Sequence, residues 1–180
     1  MADTILTLKQ IEDLFQNITT QMLGLDPELP ENQDIVRISW PTYGAPAWKI
    51  TQDRVFIRVT YSDGDYNKQR HTVYAPKDAD TANQTISYTN IVSVNWVLYG
   101  PNGYDNADVI RNLVFSEKYR SILAKNNLYL ILNVQSPMRI PELYNGQWWE
   151  RTDITLLFNE LVIRENSVYY IKSAKPIINK

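Results

Sequence analysis

The chain has 180 residues, of which 44% are hydrophobic and 21% charged, and its formal net charge is -2. This length and composition are typical of one globular domain that can bury a core without metals or disulfides. Because the sequence contains no cysteine, disulfide frameworks, thiolate nucleophiles and cysteine-ligated zinc are excluded. The small negative charge gives no general attraction to nucleic acid or to anionic membranes.

The first segment carries the signals of an amphipathic helix. Thr7 and Gln10 have the spacing of a capping box, and apolar residues follow at helical spacing as far as Met22. Gly24 is suited to end this helix in a left-handed conformation. The acidic N-terminus does not have the pattern of a signal peptide, and no stretch reaches membrane-spanning length. We therefore expect residues 1–25 to form an N-terminal helix of a soluble protein made in a cytoplasm.

Beyond a proline-bearing linker the hydrophobic period changes from 3.6 to 2, which predicts strands. A further helix is predicted after residue 104, with Asp105 or Asn106 as its cap and a restart at Ser116. The predicted strands are 35–40, 54–61, 86–99, 128–134, and a final pair, 148–164 and 167–173, joined by a turn at Glu165–Asn166. The predicted fold class is α+β, a mainly antiparallel sheet with helices packed on one face, in a single domain whose core spans residues 35–173.

Residues 62–85 are a long polar connection between two of these strands. Connections of this length are usually functional or disordered, and Arg70 to Ala75 has enough strand character to form an extended hairpin. We predict a projecting arm that contributes little to the core, is mobile on its own and is ordered by a bound partner. The charged candidates for these contacts are Asp63, Asp65, Lys68, Arg70, Asp78 and Asp80.

Motifs for metal binding are incomplete in this arm. Asp63, Asp65 and Asn67 resemble the opening of a calcium-binding loop. Lys68 stands where such a loop requires glycine, and Tyr74 stands where it requires glutamate. We therefore predict no metal and no cofactor.

Catalytic motifs are also missing. His71 is the single histidine of the sequence, and it has no nucleophile or carboxylate at a motif spacing. Glu150 and Asp153 are three residues apart on a predicted strand, so they point to opposite faces and cannot act as a glycosidase pair. The sequence therefore favours a protein that is not an enzyme.

The aromatic content is high, with 12 tyrosines and 5 tryptophans, and such residues are enriched at protein interfaces as well as in cores. Three aromatic-rich stretches are distinctive: 40–50 (WPTYGAPAWKI), 99–108 (YGPNGYDNAD) and 141–153 (PELYNGQWWERTD). Together and in this order, they resemble the neck-terminator family of tailed bacteriophages, which is also described as collar or tail-terminator-like. The resemblance runs from about residue 35 to about residue 163, and the third stretch is its most specific part.

This resemblance implies a structural virion protein of the phage neck. Members of such a family are expected to form a hexameric ring that terminates the tail and presents a docking surface to the head-completion proteins. The implied partners are further copies of the chain, the tail tube (with the sheath in a contractile tail), a head-completion or stopper protein, and DNA that passes without sequence-specific contact. No membrane partner is implied. The resemblance also implies that the arm is ordered by a neighbouring subunit, a partner protein or the wall of the DNA channel. The implied location is the virion neck or tail, after assembly in the cytoplasm of the bacterial host.

Two neighbouring tryptophans in the third stretch are candidates for different roles. Asn145–Gly146 predicts a tight turn that leads into a strand beginning at Trp148. Because successive strand residues face opposite sides, one of Trp148 and Trp149 can enter the core while the other contacts a partner. The candidate interface residues are Trp148, Trp149, Arg151, Tyr104, Asp105 and Trp48.

Other functions remain open at this point. Another head- or tail-completion subunit would have the same size, acidity and lack of catalytic motifs. A carbohydrate-binding, β-rich module would also present Trp and Tyr side chains on a sheet, but as a stable monomer that binds sugar.

Overall fold

The computed structural model describes residues 5–39 and 48–169, which form an α+β fold with a mixed, mostly antiparallel sheet. The helices are α1 (Leu8–Met22), α2 (Pro30–Gln33), α3 (Asp65–Lys68), α4 (Gly103–Leu113) and α5 (Glu117–Lys125). The strands are β1 (Val36–Ile38), β2 (Arg54–Ser62), β3 (His71–Pro76), β4 (Thr81–Tyr99), β5 (Leu128–Leu130), β6 (Met138–Arg139), β7 (Glu142–Tyr144), β8 (Gln147–Trp149) and β9 (Arg151–Tyr169). The predicted fold class is confirmed.

Two strands of 19 residues each, β4 and β9, form the centre of the sheet and pair along their whole length. The strand order is β1-β2-β4-β9-β5, with β3 added beside β4 and β6 added beside β9. All pairs are antiparallel except β1 with β2, which is parallel. The strands β1 and β5 therefore lie at opposite edges of the sheet.

The helices α1, α4 and α5 cover one face of the sheet. The alternating residues Val92, Val94, Trp96 and Leu98 of β4 are buried on this face, as the period of two predicts. They pack with apolar residues of β2, β9, α1, α4 and α5 in one continuous core. On the opposite face, Asn95, Val97 and Asp153 are only partly buried and line a cleft.

The first helix is fixed by local signals and by one buried hydrogen bond. Thr7 and Gln10 form the predicted capping box, and Gly24 follows the helix with a φ of 72°. On the inner side of the helix, Thr19 Oγ1 accepts a hydrogen bond of 2.9 Å from Trp96 Nε1. This bond satisfies the indole N–H in the core, where an unpaired donor is costly.

The polar stretch 62–85 is a hairpin arm and not an irregular loop. It contains the single helical turn α3, the strand β3 and the first part of β4. All six residues of β3 are exposed, and β3 pairs with residues 82–87 of β4. The far end of β9 pairs with the same part of β4, so the arm is a three-stranded extension of the central sheet.

The cap of the second long helix was predicted wrongly. Asn102, rather than Asp105 or Asn106, is the N-cap of α4, and its side chain forms no capping hydrogen bond. Its amide instead donates to Asp53 Oδ2 at 2.7 Å, while Asp53 Oδ1 accepts from the Asn102 backbone N–H. The Asn102 side chain thus bonds to a residue 49 positions away, where the sequence predicted a local capping hydrogen bond. The predicted restart at Ser116 is confirmed, since Ser116 is the N-cap of α5.

Three strand predictions were also wrong. The strand predicted over 148–164 is divided at Glu150 into β8 and β9. The strand predicted over 128–134 ends at Leu130, where the pairing of β5 with β9 ends. The turn predicted at Glu165–Asn166 does not exist, because β9 continues through both residues, paired with Gln84 and Thr85. Long-range pairing with β4 outweighs the local turn tendency of Asn.

Some sequence predictions fall outside the described residues. These are the end of the first predicted strand at Trp40 and the part of the last predicted strand over 170–173.

Candidate functional site

The third distinctive stretch folds into a small hairpin of β7 and β8. Asn145 and Gly146 join the strands with φ angles of 49° and 75°. Two successive left-handed residues give the turn whose twist matches a two-residue hairpin, and Asn-Gly is the pair that best tolerates it. The predicted turn is confirmed.

The two tryptophans of this hairpin face opposite sides. Trp149 points back onto the sheet face opposite α1, α4 and α5 and is partly buried. Trp148 points outward with 65% of its surface exposed, opposite Leu143 in register, which is 58% exposed. The geometry therefore gives each tryptophan a different environment, as alternation along a strand requires.

The inner side of the hairpin rests on an aromatic cluster formed by Trp48, Phe56, Tyr99, Tyr144 and Trp149. The Trp48 ring lies 5.1 Å from Phe56, 5.9 Å from Tyr99 and 6.1 Å from Trp149. Tyr144 adds an edge-to-face contact of 6.3 Å with Trp149. Aromatic pairs at such distances and tilts stabilise beyond the area that they bury. The cluster thus holds the hairpin against the end of the sheet.

A charged network lies beside the aromatic cluster. Arg151 donates from Nε and Nη2 to the two oxygens of Asp153 at 2.8 and 2.7 Å, and its Nη1 lies 3.4 Å from Glu142 Oε2. The Tyr99 hydroxyl donates to the same Glu142 oxygen at 2.8 Å. The bidentate Arg151–Asp153 geometry is the strong form of an ion pair. This network connects the hairpin to β4 and β9.

The network shifts two pKa values. Burial, and then the hydrogen bond to Glu142, raise the pKa of Tyr99 to about 12. The hydrogen bond to Asp153, together with the charges of its neighbours, raises the pKa of Arg151 further above its already high value. Both groups therefore keep their protons at neutral pH.

A cleft of about 460 Å³ opens on the sheet face opposite α1, α4 and α5, between the hairpin and β2. Aromatic rings form one wall and charged groups form the other. Its lining residues are Ser39, Trp48, Phe56, Arg58, Asn95, Val97, Tyr99, Glu142, Arg151 and Asp153.

Two large apolar side chains lie opposite each other on the outer side of the hairpin. These are Leu143 and Trp148, and each is more than half exposed. We call Leu143 and Trp148 together the hairpin surface. Large exposed apolar side chains that lie close together mark interaction sites more often than single ones do.

Tyr104 and Asp105, from the second distinctive stretch, lie beside this surface. They line a shallow cleft together with Pro101, Arg139 and Glu150. Arg139 and Glu150 form an exposed ion pair of 3.6 Å. Both also line a second cleft, which contains Trp148. The structure thus brings the predicted candidates Trp48, Trp149 and Arg151 into one cluster, and it places the others along its outer edge.

The charged candidates of the arm are not part of this site. Asp65 and Lys68 form an exposed ion pair of 3.4 Å with each other. The Arg70 guanidinium lies 3.8 Å from the centre of the Tyr88 ring, a cation–π contact. Asp78 accepts hydrogen bonds from Asp80 and Thr81 in the turn at the tip, and these bonds lower its pKa. These contacts shape the arm itself.

Glu142 and Tyr99 were not predicted from the sequence as members of the site. Arg151 and Asp153 are two residues apart on a strand and therefore share a face, a signal that could have indicated their pairing. No local sequence pattern indicated Glu142, because it bonds to Tyr99, which lies 43 positions away. Only the tertiary structure brings these two together.

The described residues offer a surface for protein contacts. No group of three or more His, Asp or Glu side chains in residues 5–39 and 48–169 could hold a metal ion. None of the helices there is long and apolar enough to cross a membrane. The hairpin surface and the arm define the class: an α+β protein with exposed apolar and aromatic side chains suited to binding other proteins.

Comparison with known families gives a more specific result. A family model described as "Phage neck terminator protein" matches residues 9–180, nearly the whole chain. The chain therefore belongs to the phage neck terminator family, a family of structural virion proteins. No curated protein matches the chain. The resemblance seen in the sequence is confirmed, and the match extends to both sides of the range that the three stretches covered.

Proposed function

We propose that this chain forms a hexameric ring at the phage neck, which ends the tail and connects it to the head-completion proteins. The observation that carries the proposal is the hairpin surface, on which Leu143 and Trp148 are each more than half exposed. Such side chains are costly to leave in water, and tryptophan is a frequent centre of binding energy at interfaces. The family assignment supports a place in the neck of the virion.

The rigidity of the hairpin supports a docking role. Trp149 and Tyr144 anchor the inner side of the hairpin on Trp48 and Tyr99. The outer residues are therefore held in position before any partner binds, which lowers the entropy cost of association. Side chains that are held in position before binding raise the affinity for a partner protein.

The arm gives a second contact region. Its strand β3 is exposed along its whole length, and Val73 and Tyr74 are 47% and 60% exposed. We propose that the arm contacts a neighbouring subunit, a head-completion or tail-tube protein, or the wall of the DNA channel. Its mixed charges suit a passage through which DNA slides, because strong phosphate contacts would hold the DNA in place. Assembly would take place in the cytoplasm of the bacterial host.

The test uses virions of the phage that encodes the chain. Density at the neck should show sixfold symmetry and accommodate six copies of the fold, with the hairpin surface buried against a neighbouring protein. A neck whose symmetry or volume cannot accommodate the chain would overturn the proposal. A monomeric chain that binds sugar on its aromatic face would favour a carbohydrate-binding module instead.

The surface itself is tested with a matched pair of variants. Trp148→Ala should leave the subunit folded and lower the yield of joined heads and tails. Phe115→Ala removes a comparably exposed aromatic residue (42%) that lies outside the hairpin surface. If both variants assemble normally, the hairpin surface is not the docking site.

A further inference from the structure

The outer edge of β3 is open. All six residues of this strand are exposed, and it pairs with β4 on one side. On its other side, no strand within residues 5–39 or 48–169 pairs with it. Edge strands present unpaired N–H and C=O groups, which can pair with a strand of another chain. The arm therefore offers a site at which a further strand can be added.

The hydrogen-bond pattern of the arm shows which backbone groups of β3 point outward. The Lys77 N–H donates to the Thr81 carbonyl at 3.0 Å, in the same register as the pairs between β3 and β4. Because bonded and non-bonded residues alternate along an antiparallel pair, the odd-numbered residues of β3 bond to β4. The N–H and C=O groups of Thr72 and Tyr74 therefore point away from β4. Pro76 also has an outward position, where its missing N–H costs no bond to β4.

This edge has little protection against strand addition. The strand contains no Lys, Arg, Asp or Glu, and Pro76 blocks only its last position. Val73 and Tyr74 in its middle are 47% and 60% exposed, and both residue types favour strands. At the edge formed by β1, by contrast, the Val36 carbonyl already accepts a hydrogen bond of 2.8 Å from Gln16 Nε2. The edge of β3 is therefore the better site for a partner strand.

We propose that β3 binds an extended segment of a different neck protein, which adds a further strand to the arm. The proposal rests on the place in the neck proposed above and names the contact that the arm makes there. The added segment bonds through its own backbone to the outward groups of Thr72 and Tyr74, and its side chains lie beside Val73 and Tyr74. In this mode of binding the main-chain bonds supply affinity and the side-chain contacts supply specificity.

The symmetry of a ring favours a different protein over the β3 of a second copy. Two identical edges pair around a two-fold axis, whereas neighbouring copies in a ring are related by the ring rotation. The β3 edges of neighbouring copies therefore do not pair with each other. We assign the added strand to a protein that joins the ring after it has formed.

A proline at an outward position tests the backbone contact. Thr72→Pro removes an N–H that does not bond to β4 and places the proline ring in the path of the added strand. The variant should melt at nearly the temperature of the unchanged chain and still form a ring. It should lower the yield of joined heads and tails about tenfold or more, as expected for the loss of main-chain bonds at an interface. Thr72→Val is the matched control, because it changes the side chain but keeps the N–H, and it should join heads to tails normally.

Photo-cross-linking in joined particles identifies the partner without the proline substitution. Tyr74→p-benzoylphenylalanine places a photoreactive group at the open edge and should give a covalent product with a different virion protein. Phe115→p-benzoylphenylalanine is the control, because Phe115 is an exposed aromatic residue (42%) outside the arm. It should not give the same product. Mass spectrometry of the product at Tyr74 should locate the attached segment in an extended region of the partner.

The outcomes separate this contact from the proposed function. If Thr72→Pro joins heads to tails as well as Thr72→Val does, the edge contact is overturned and the ring remains. If Thr72→Pro melts well below Thr72→Val, the arm itself is damaged and the cross-link at Tyr74 decides. Cross-links at Tyr74 that reach only copies of this chain, or no protein at all, overturn the assignment to a different protein. Virions without a ring of this chain overturn the proposed function and the edge contact together.

Discussion

The hydroxyl of Tyr99 donates a hydrogen bond of 2.8 Å to Glu142, which joins the end of the central strand β4 to the hairpin that carries Trp148 and Trp149. The same carboxylate lies 3.4 Å from Arg151 on β9. Glu142 thus connects the hairpin to the start of β9 and to the end of β4, and its partner on β4 lies 43 positions away in the sequence. The position of the hairpin surface therefore depends on a polar network as well as on the aromatic cluster beneath it.

Removing the Tyr99 hydroxyl should weaken this connection in a pH-dependent way. The pKa of Tyr99 is raised to about 12, so the folded state favours its neutral form. Its contribution to stability is full below the unfolded pKa of about 10 and is lost as the pH rises from about 10 to 12. We expect Tyr99→Phe to lower the free energy of unfolding by about 1 kcal/mol at pH 7, because the site is partly solvated. Urea melts should show this difference shrinking between pH 10 and pH 12, and a difference that stays constant with pH would contradict the assignment.

The two tryptophans of the hairpin should respond differently to truncation. Trp149→Ala removes the centre of the aromatic cluster, and we expect it to destabilise the fold by about 2–4 kcal/mol. Trp148→Ala removes an exposed side chain, and we expect a change within about 0.5 kcal/mol. Thermal melts measured beside assembly assays distinguish the two. Equal losses of stability would mean that both residues are part of the core.

The elements with strong local signals were predicted correctly from the sequence. The capping box at Thr7, the turn at Asn145–Gly146 and the N-cap at Ser116 each depend on residues a few positions apart. Alternation along β4 also predicted which residues face the core, because one side of the strand packs on helices. Short-range physical chemistry determines these features almost completely.

Features that depend on distant contacts could not be predicted. Asn102 occupies the N-cap position of α4 predicted for Asp105 or Asn106, and its amide is bound by Asp53, 49 positions away. Glu165–Asn166 continues a strand because β4 pairs with both residues. Glu160 is only 2% exposed, on the side of β9 where the alternation requires an apolar residue, and its partner Asn90 lies 70 positions away. No pattern within a short window contains this information.

The buried hydrogen bond between Thr19 and Trp96 should make a measurable contribution to stability. Thr19→Val keeps the shape of the side chain but leaves the Trp96 indole N–H without an acceptor in the core. We expect a loss of about 1–3 kcal/mol in the free energy of unfolding. Thr20→Val is the matched control, because the Thr20 hydroxyl donates to the Gln16 carbonyl of its own helix and leaves no buried donor unpaired when it is removed. A Thr19→Val variant as stable as this control would mean that the bond contributes little.

The arm should be dispensable for folding and required for assembly. Residues 81–85 belong to β4 and pair with β9, so shortening the whole stretch 62–85 to a tight turn would cut a paired central strand. The appropriate variant replaces residues 63–80 with a Gly/Ser linker of about ten residues, long enough to run from the end of β2 to the start of β4.

This variant removes α3 and the fully exposed strand β3. Because loop length changes closure entropy only slowly and little core is lost, the free energy of unfolding should fall by about 1 kcal/mol or less. Ring formation or the joining of heads to tails should fail, since the arm would no longer reach its neighbour. A linker of the same composition in place of the tip residues 77–80 alone keeps β3 and serves as the control. If the variant without β3 is much less stable than this control, β3 supports the core. If it is equally stable and still yields infectious particles, the arm makes no essential contact in the neck.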